Sequence, residues 1–453
     1  MGKTLCMPTI SSILAGGSAD PNVDIDEIDK RRRSKTEEIL YAQMTQKLQF
    51  YKDYIADSTR GIALPDDDMN FFDDFFSKAE AAAHNGKVVR VLHYGDSQIE
   101  MDRMSDVLRA FMQAKFGGLG AGLIPFSQTI PCTSVSQFAS GDFTLYASYG
   151  DSTVARNRGH YGPMAKCSRI NSSATITINA TKRDERDEHL KSFSKITVLF
   201  DNLGGNLTAT LSYKGKSEPQ TCTGHGVHSL TWQLDSAVAS VRLAISGYSD
   251  IYGIMVDGKY GVSVDNISMR GASGHQIQMI DSALLAQSFA QMNVGLILFQ
   301  YGGNSVPYLQ SEASRQLYAD EIARQLRILH NTCPGAKIVF IGPADMCRYT
   351  DSLGLSTYRH LAEVVRTLRA TALENHCAFW SMYHVMGGNG SMSSWVKSGL
   401  AGGDYLHFTE KGARKMAGYL VEAFETMYDF YTLKKKIPPE TLEQSWKENS
   451  KQQ

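Results

Sequence analysis

Four short motifs carry residues whose types and spacing could do chemistry. In Val91-Leu92-His93-Tyr94-Gly95-Asp96-Ser97-Gln98, the apolar run Val88–Leu92 breaks at a glycine and hands a serine to the amphipathic stretch Ile99–Phe116. The spacing of Met101, Met104, Val107, Leu108, Phe111 and Met112 predicts a helix there. A serine at that junction sits at the carboxyl edge of a sheet, beside backbone N–H groups at the positive end of a helix dipole. Open α/β sheets place their chemistry at that edge. Taken alone, Ser97 reads first as a helix cap. In Asp404-Tyr405-Leu406-His407, a carboxylate and an imidazole three residues apart on one loop can share a hydrogen bond through Nδ1, which leaves Nε2 to take a serine proton. Isolated, that pair also reads as a helix-entry cap and a surface histidine. After the apolar run Val294–Gln300, Tyr301-Gly302-Gly303-Asn304 presents a side-chain amide donor, although a lone Asn there is most often a turn residue. Val264–Met269 runs into Arg270-Gly271-Ala272-Ser273-Gly274, where a bare backbone N–H can face a ligand. Each motif follows a predicted strand. Their joint placement, in the order Ser, Gly, Asn, Asp/His, makes one hydrolase-type site out of four ambiguous pieces.

These blocks resemble those of the SGNH (GDSL-type) hydrolases: Gly-Asp-Ser, a glycine, Gly-x-Asn and Asp-x-x-His. The matching residues are Gly95-Asp96-Ser97, Gly274 within Gly271-Ala272-Ser273-Gly274, Gly302-Gly303-Asn304, and Asp404 with His407. Gln98 stands where a leucine gave the GDSL name. The resemblance covers roughly 88–118 and 263–430, and it extends to bacterial two-domain members similar to peptidoglycan O-acetylesterases, in which a β-rich module separates the nucleophile helix from the glycine block. It implies an α/β fold with a flavodoxin-like parallel sheet flanked by helices. It also implies site roles: Ser97 as nucleophile, His407 as base, Asp404 as its orienter, and the Ser97 N–H, Gly274 N–H and Asn304 amide as an oxyanion hole. The expected substrate is an acetylated glycan, and the expected location is the periplasm or cell exterior. A lipase or thioesterase, an O-acyltransferase and a silent glycan-binding protein are the alternatives the sequence leaves open. The residue types call for no metal and no organic cofactor.

Around these motifs, three regions follow from pattern. Residues 1–86 read as an N-terminal extension, with 1–25 disordered and the rest helical, including an aromatic stripe at Phe71, Phe72, Phe75 and Phe76 that reads as packing surface. Residues 87–118 and 263–434 alternate strand and helix, the pattern of a parallel sheet. Between them, 119–262 loses helical periodicity and carries short β-rich runs divided by Gly, Asn, Asp and Ser, the pattern of a β-sandwich. Tyr146, Tyr149, Tyr161, Trp232 and Tyr248 are its candidates for stacking on sugars, with core packing the competing role. Near the nucleophile, Asp96 reads as a loop brace and His93 as a buried, hydrogen-bonded histidine. Glu100, Arg103 and Arg270 read as solvated or ion-paired. The tail after Lys434 is polar and expected to fray.

Composition narrows the class. The chain has 453 residues, 42% hydrophobic and 21% charged, with a formal net charge of −1. That is the balance of a globular protein of two or three domains, with no field favouring nucleic acid or an anionic membrane. The basic run Lys30-Arg31-Arg32-Arg33 lies among acidic residues and reads as a solvated helix face. Seven cysteines without a Cys-x-x-Cys pair suggest neither a disulfide framework nor zinc, and Cys222-Thr223-Gly224-His225 with His228 matches no metal spacing. No run of 18 apolar residues is present, so no spanning segment is expected. Thr4–Ala19 is a weak secretion-signal pattern that leaves export undecided. A monomer is expected.

Overall fold

A computed structural model describes residues 25–57, 59–151, 153–181, 188–351 and 354–437. The expectations for residues 1–24, including Thr4–Ala19, and for the tail beyond Ile437 lie outside them. Along the chain come α1 (Ile25–Ala56), α2 (Asp73–Asn85), β1 (Val88–Gly95) and α3 (Ser105–Phe116). A β-rich stretch follows: β2 (Gly122–Ile124), β3 (Val135–Ala147), β4 (Lys166–Ala180), β5 (Phe193–Asn202), β6 (Asn206–Tyr213), β7 (Lys216–Thr223), β8 (Gly226–Val238), β9 (Ser240–Ser246) and β10 (Ser249–Asp257). Alternation then resumes with β11 (Gly261–Ser268), α4 (Ser282–Ala290), β12 (Val294–Gln300), α5 (Glu312–Thr332) and β13 (Lys337–Gly342). The last elements are the hairpin β14 (Cys347–Thr350) and β15 (Gly354–Thr357), α6 (Leu361–Glu374), β16 (Ala378–Ser381), α7 (Met382–Val385), α8 (Ser391–Lys397) and α9 (Glu410–Lys434).

Two units divide the chain, one spanning Tyr51–Thr432 and the other formed by the first 50 residues with those from Leu433 onward. In the smaller unit α1 exposes both charged residues and the apolar side chains of Ile39, Leu40 and Phe50. Lys30, Arg31 and Arg32 are exposed there, and Arg31 pairs with Glu27 at 2.6 Å. These three residues of the basic run thus lie on a solvated helix face.

Within the larger unit, β1, β11, β12, β13 and β16 pair in parallel in the order β11-β1-β12-β13-β16. Counted along the chain, this is the 2-1-3-4-5 order of flavodoxin-like sheets, and the order reverses at β1. Every residue of β1 and β12 is buried, as expected of strands covered on both faces. The paired register brings Gly95, Ser268 and Gln300 to one level, so the loops after them open on the same carboxyl edge.

The expected helix over 99–116 is shorter than its periodicity suggested. Ser97–Asp102 is a 3₁₀ segment interrupted by non-helical Glu100 and Met101, and the α-helix starts only at Ser105. The cause is tertiary. Glu100 is buried and takes a two-pronged bond from Arg270 at 2.7 Å, while the Met101 carbonyl accepts from Thr133.

The inserted stretch is one branched nine-stranded sheet, entirely antiparallel. Hydrogen bonds connect all its strands because the long strand β4 changes partner along its length, pairing with β10 over Ser168–Ile170 and with β9 over Ser173–Asn179. The sheet curls until its two ends meet, and the Trp232 indole of β8 donates to the Glu218 carbonyl of β7 at 3.0 Å. Leu207, Leu211, Trp232, Leu243, Ile254 and their neighbours fill the interior. Trp232 and Tyr161 are core residues at 2% and 3% exposure, which removes both from the sugar-stacking candidates. Of the others, Tyr146 and Tyr149 are half-buried and Tyr248 is exposed.

Phe71, Phe72, Phe75 and Phe76 are buried. Phe72 meets Phe424 of α9 edge to face at 5.7 Å and Phe76 meets Tyr428 at 5.3 Å, while Glu80 accepts from the Tyr428 and Tyr431 hydroxyls. The aromatic stripe is packing surface that fixes α2 against the last helix.

Candidate active site

At the carboxyl edge, β1 ends in Gly95 and the chain turns sharply through Asp96 into the 3₁₀ segment that begins at Ser97. Asp96 caps this turn by accepting the Gln98 N–H at 2.9 Å. Among the described residues no acceptor takes the Ser97 N–H, as is usual for the first amide of a helical turn. The Ser97 hydroxyl lies 2.9 Å from His407 Nε2.

His407 stands on the loop before α9. Its Nδ1 is 2.7 Å from Asp404 Oδ2, and Asp404 Oδ1 accepts the Leu406 and His407 amides at 3.0 and 3.1 Å. Partial burial would raise the Asp404 pKa, but bonds from the His407 ring and these two amides outweigh it, so the carboxyl stays below its ordinary range. The short loop thereby fixes both the ring orientation and the charge behind it.

Asn304 follows β12 through Gly302, whose φ of +125° favours glycine; a Cβ there would also stand 3.0 Å from Pro343 Cδ. The Asn304 Nδ2 donates to Asp96 Oδ2 and to the Ala272 carbonyl, both at 3.0 Å. One side chain therefore ties the Ser97 turn, the Gly-rich turn after β11 and the end of β12 together. Asp96 is buried, and burial pushes its pKa up to about 6 against the opposing Gln98 N–H.

Of the two glycines that end the β11 turn, Gly274 has φ +88° and packs beneath Tyr301 and Ile322, where a Cβ would approach to 3.0–3.1 Å. Gly271 has φ +72° with open space at the Cβ position. Neither lines the cavity beside Ser97.

That cavity measures about 240 Å³. Ser97, His407, Gln98 and Asn304 form its polar side. Pro343, Ala344, Met346, Met382, Tyr358 and Leu406 form an apolar side, and Tyr308 stands at its wall with 79% exposure. The apolar side comes from the loop after β13 and its neighbours. Asp345, fully buried, braces that loop by accepting from Thr357 and from the Met392 amide, both at 2.8 Å.

Several neighbours escape sequence reasoning. Gln98 and Arg103 reach the His407 loop: the Gln98 amide bonds the Leu406 carbonyl and the Phe408 N–H, and Arg103 donates to the carbonyls of Ser97 and Phe408. Apart from the Ser97 carbonyl, six residues from Arg103, their partners are backbone groups some 300 positions away, which no residue type marks. The hairpin β14–β15, whose end leads into Tyr358, was likewise unforeseen. His93 is buried between Ser105 Oγ at 2.8 Å and Gln300 Oε1 at 3.0 Å. Around Cys222 and His225, the His228 ring bonds the His225 carbonyl at 3.2 Å, and the six described cysteines are free thiols. No described helix is long and apolar enough to cross a membrane.

A family model described as "GDSL-like Lipase/Acylhydrolase family" matches residues 230–415, a span that holds Gly274, Asn304, Asp404 and His407 and begins after Ser97. Comparison with curated proteins finds no match. Among solved structures, a peptidoglycan O-acetylesterase is similar at 22% identity with a TM-score of 0.63, over 78% of this chain and 95% of that one. A family two carbohydrate esterase from Cellvibrio japonicus (11% identity, TM-score 0.26, 65% of this chain and 99% of that one) and a carbohydrate acetylesterase from Sinorhizobium meliloti (11%, 0.28, 37% and 79%) overlay too loosely to bear on the fold. Residues 230–415 thus match the GDSL-like lipase/acylhydrolase family, and over 78% of its length the chain shares the fold of the solved peptidoglycan O-acetylesterase.

Proposed function

We propose that the protein removes O-acetyl groups from a polysaccharide, most naturally a peptidoglycan-like envelope glycan, through an acetyl-enzyme on Ser97. The observation that carries this reading is the run of short contacts from Asp404 through His407 to Ser97, opening on one small cavity. At about 240 Å³ the cavity falls below the range of about 300–1,000 Å³ common for drug-sized ligands, which suits a short acyl group better than a fatty chain. Exposed Tyr308 at its wall offers a sugar ring a flat apolar face. The solved peptidoglycan O-acetylesterase with the same fold supports the choice of glycan, and an envelope glycan would place the protein in the periplasm or outside the cell. In this reading the inserted β module helps hold the polymer, with Tyr146, Tyr149 and Tyr248 its remaining stacking candidates.

In this mechanism Ser97 Oγ attacks the acetyl carbonyl as His407 Nε2 takes its proton. Asp404 holds the ring tautomer and faces the imidazolium that forms. The oxyanion meets the Ser97 N–H, the Asn304 amide and a glycine amide of the 271–274 turn. Gly274 is the donor expected from the motif, and Gly271, with its open surroundings, is its competitor. Collapse breaks the ester C–O bond, and His407 returns the proton to the sugar oxygen. Water then attacks the acetyl-serine by the same route and releases acetate.

Acetate release from O-acetylated peptidoglycan and from acetylated xylan, with wild type and Ser97→Ala, tests the proposal. Release by wild type alone, greater from peptidoglycan, is expected. Failure on both polymers with good cleavage of octanoate esters would replace this reading with a lipase.

A further inference from the structure

The nucleophile turn grips the His407 loop on both sides of the catalytic ring. The Gln98 amide nitrogen donates to the Leu406 carbonyl at 2.6 Å, and its oxygen accepts the Phe408 N–H at 3.2 Å. A side-chain amide thus pairs with the backbone immediately before and after His407, as a neighbouring strand would. Arg103 adds a second hold, donating to the Phe408 carbonyl at 3.1 Å and to the Ser97 carbonyl. The loop is also braced from within, by the Gly402 N–H donating to the His407 carbonyl at 2.8 Å and by Asp404 accepting the Leu406 and His407 amides, and the grip of Gln98 and Arg103 ties this braced loop to Ser97.

We propose that Gln98 and Arg103 are positioning residues that keep His407 in register with Ser97, so that the length and amide chemistry of residue 98 set the efficiency of proton transfer. The idea rests on the triad reading above. Neither side chain needs to touch the reacting atoms. Both act through the backbone that carries the imidazole, and a base displaced by about 1 Å can cost on the order of 10²-fold in rate. Leucine at position 98 could make neither bond, because it has no donor or acceptor.

The test compares wild type, Gln98→Met and Gln98→Glu on 4-nitrophenyl acetate, with kcat and KM measured separately across pH, alongside melting temperature and the rate of Ser97 sulfonylation by a sulfonyl fluoride. Methionine keeps the length without the hydrogen bonds. Gln98→Met is expected to lower kcat and the sulfonylation rate about 10–100-fold, as such displacement does, with KM within about twofold. Glutamate keeps the acceptor for the Phe408 amide, and when protonated it also restores the donor to Leu406. Asp96, Arg103 and His407 are the charged or titratable groups that face it. The ratio of Gln98→Glu to wild-type kcat is therefore expected to rise as pH falls, a signature that plain packing would not give. Turnover by Gln98→Met within twofold of wild type would overturn the proposal. Should that variant fail to fold, a flat Gln98→Glu ratio across pH would overturn it instead. A wild type that cleaves no ester would sink the esterase reading; an active wild type with indifferent Gln98 variants would sink only this inference.

Discussion

Asn304 carries two duties at one atom. Its Nδ2 gives both protons, to the Asp96 carboxyl and to the Ala272 carbonyl at 3.0 Å, so it serves as the proposed oxyanion donor by turning one of them to the substrate. Removing such a donor typically costs about 10²–10³ in kcat, so Asn304→Ala is expected to fall at least that far in stopped-flow or steady-state turnover of 4-nitrophenyl acetate. A loss below tenfold would remove Asn304 from the oxyanion hole. At this scale the sequence was informative where residue type and strand-end position coincide. Ser97, Asn304, Asp404 and His407 each stand just past a strand or on a short polar loop, and those settings can be read from glycine and apolar spacing. The ion-paired reading of Glu100 and Arg270 agrees with their bond at 2.7 Å, but Gln98 and Arg103 could not be read the same way, because they reach a distant backbone.

At the scale of elements, His93 in β1 and Asp96 in the turn that follows it have opposite consequences for stability. His93 is buried, and burial lowers its pKa to about 4 from an ordinary 6.5. The folded state thus keeps it neutral, and this stability is present above pH 6.5 and lost as pH falls towards 4. Asp96 is the reverse: its pKa is raised to about 6, so the folded state binds its proton more tightly and stability is lost as pH rises from about 4 to 6. The two slopes oppose each other in wild type. His93→Gln removes only the first. In urea melts the variant is expected to gain on wild type by about 3 kcal/mol between pH 6.5 and 4. A constant difference across that range would show that His93 titrates normally. Element boundaries followed the apolar pattern for β12 and β13, both buried throughout or nearly so. They failed at Ser97–Asp102, where the Glu100–Arg270 pair bends a segment of good helical spacing.

For the molecule as a whole, the fold depends on aromatic packing between α2 and α9. Phe76 is 1% exposed and meets Tyr428 and Tyr431 at 5.3 and 5.5 Å. Phe76→Ala is expected to cost about 3–5 kcal/mol in chemical denaturation while leaving KM for a small ester unchanged in the folded fraction. Substrate size is a property of the assembled cavity. Tyr308→Ala is expected to raise KM several-fold on a polymeric acetylated substrate and to leave 4-nitrophenyl acetate turnover within about twofold; equal effects on both would take Tyr308 out of glycan binding.

The sequence by itself determined the alternating β/α plan and the β-rich interruption, because apolar periodicity and glycine placement are local consequences of burial on one face or two. It also determined which residues hold a hydroxyl and an amide just past strands and which loop pairs a carboxylate with an imidazole, although the Asp404–His407 loop follows α8 and not the strand expected before it. Only the tertiary structure decided the sheet order that joins β1, β11 and β12, the closure of nine strands into one curled sheet, the packing of Gly274 beneath Tyr301, and the grip of Gln98 and Arg103 on the His407 loop. Those features arise from pairings between residues far apart in the chain. Their energy comes from mutual fit, and no single stretch of sequence contains it.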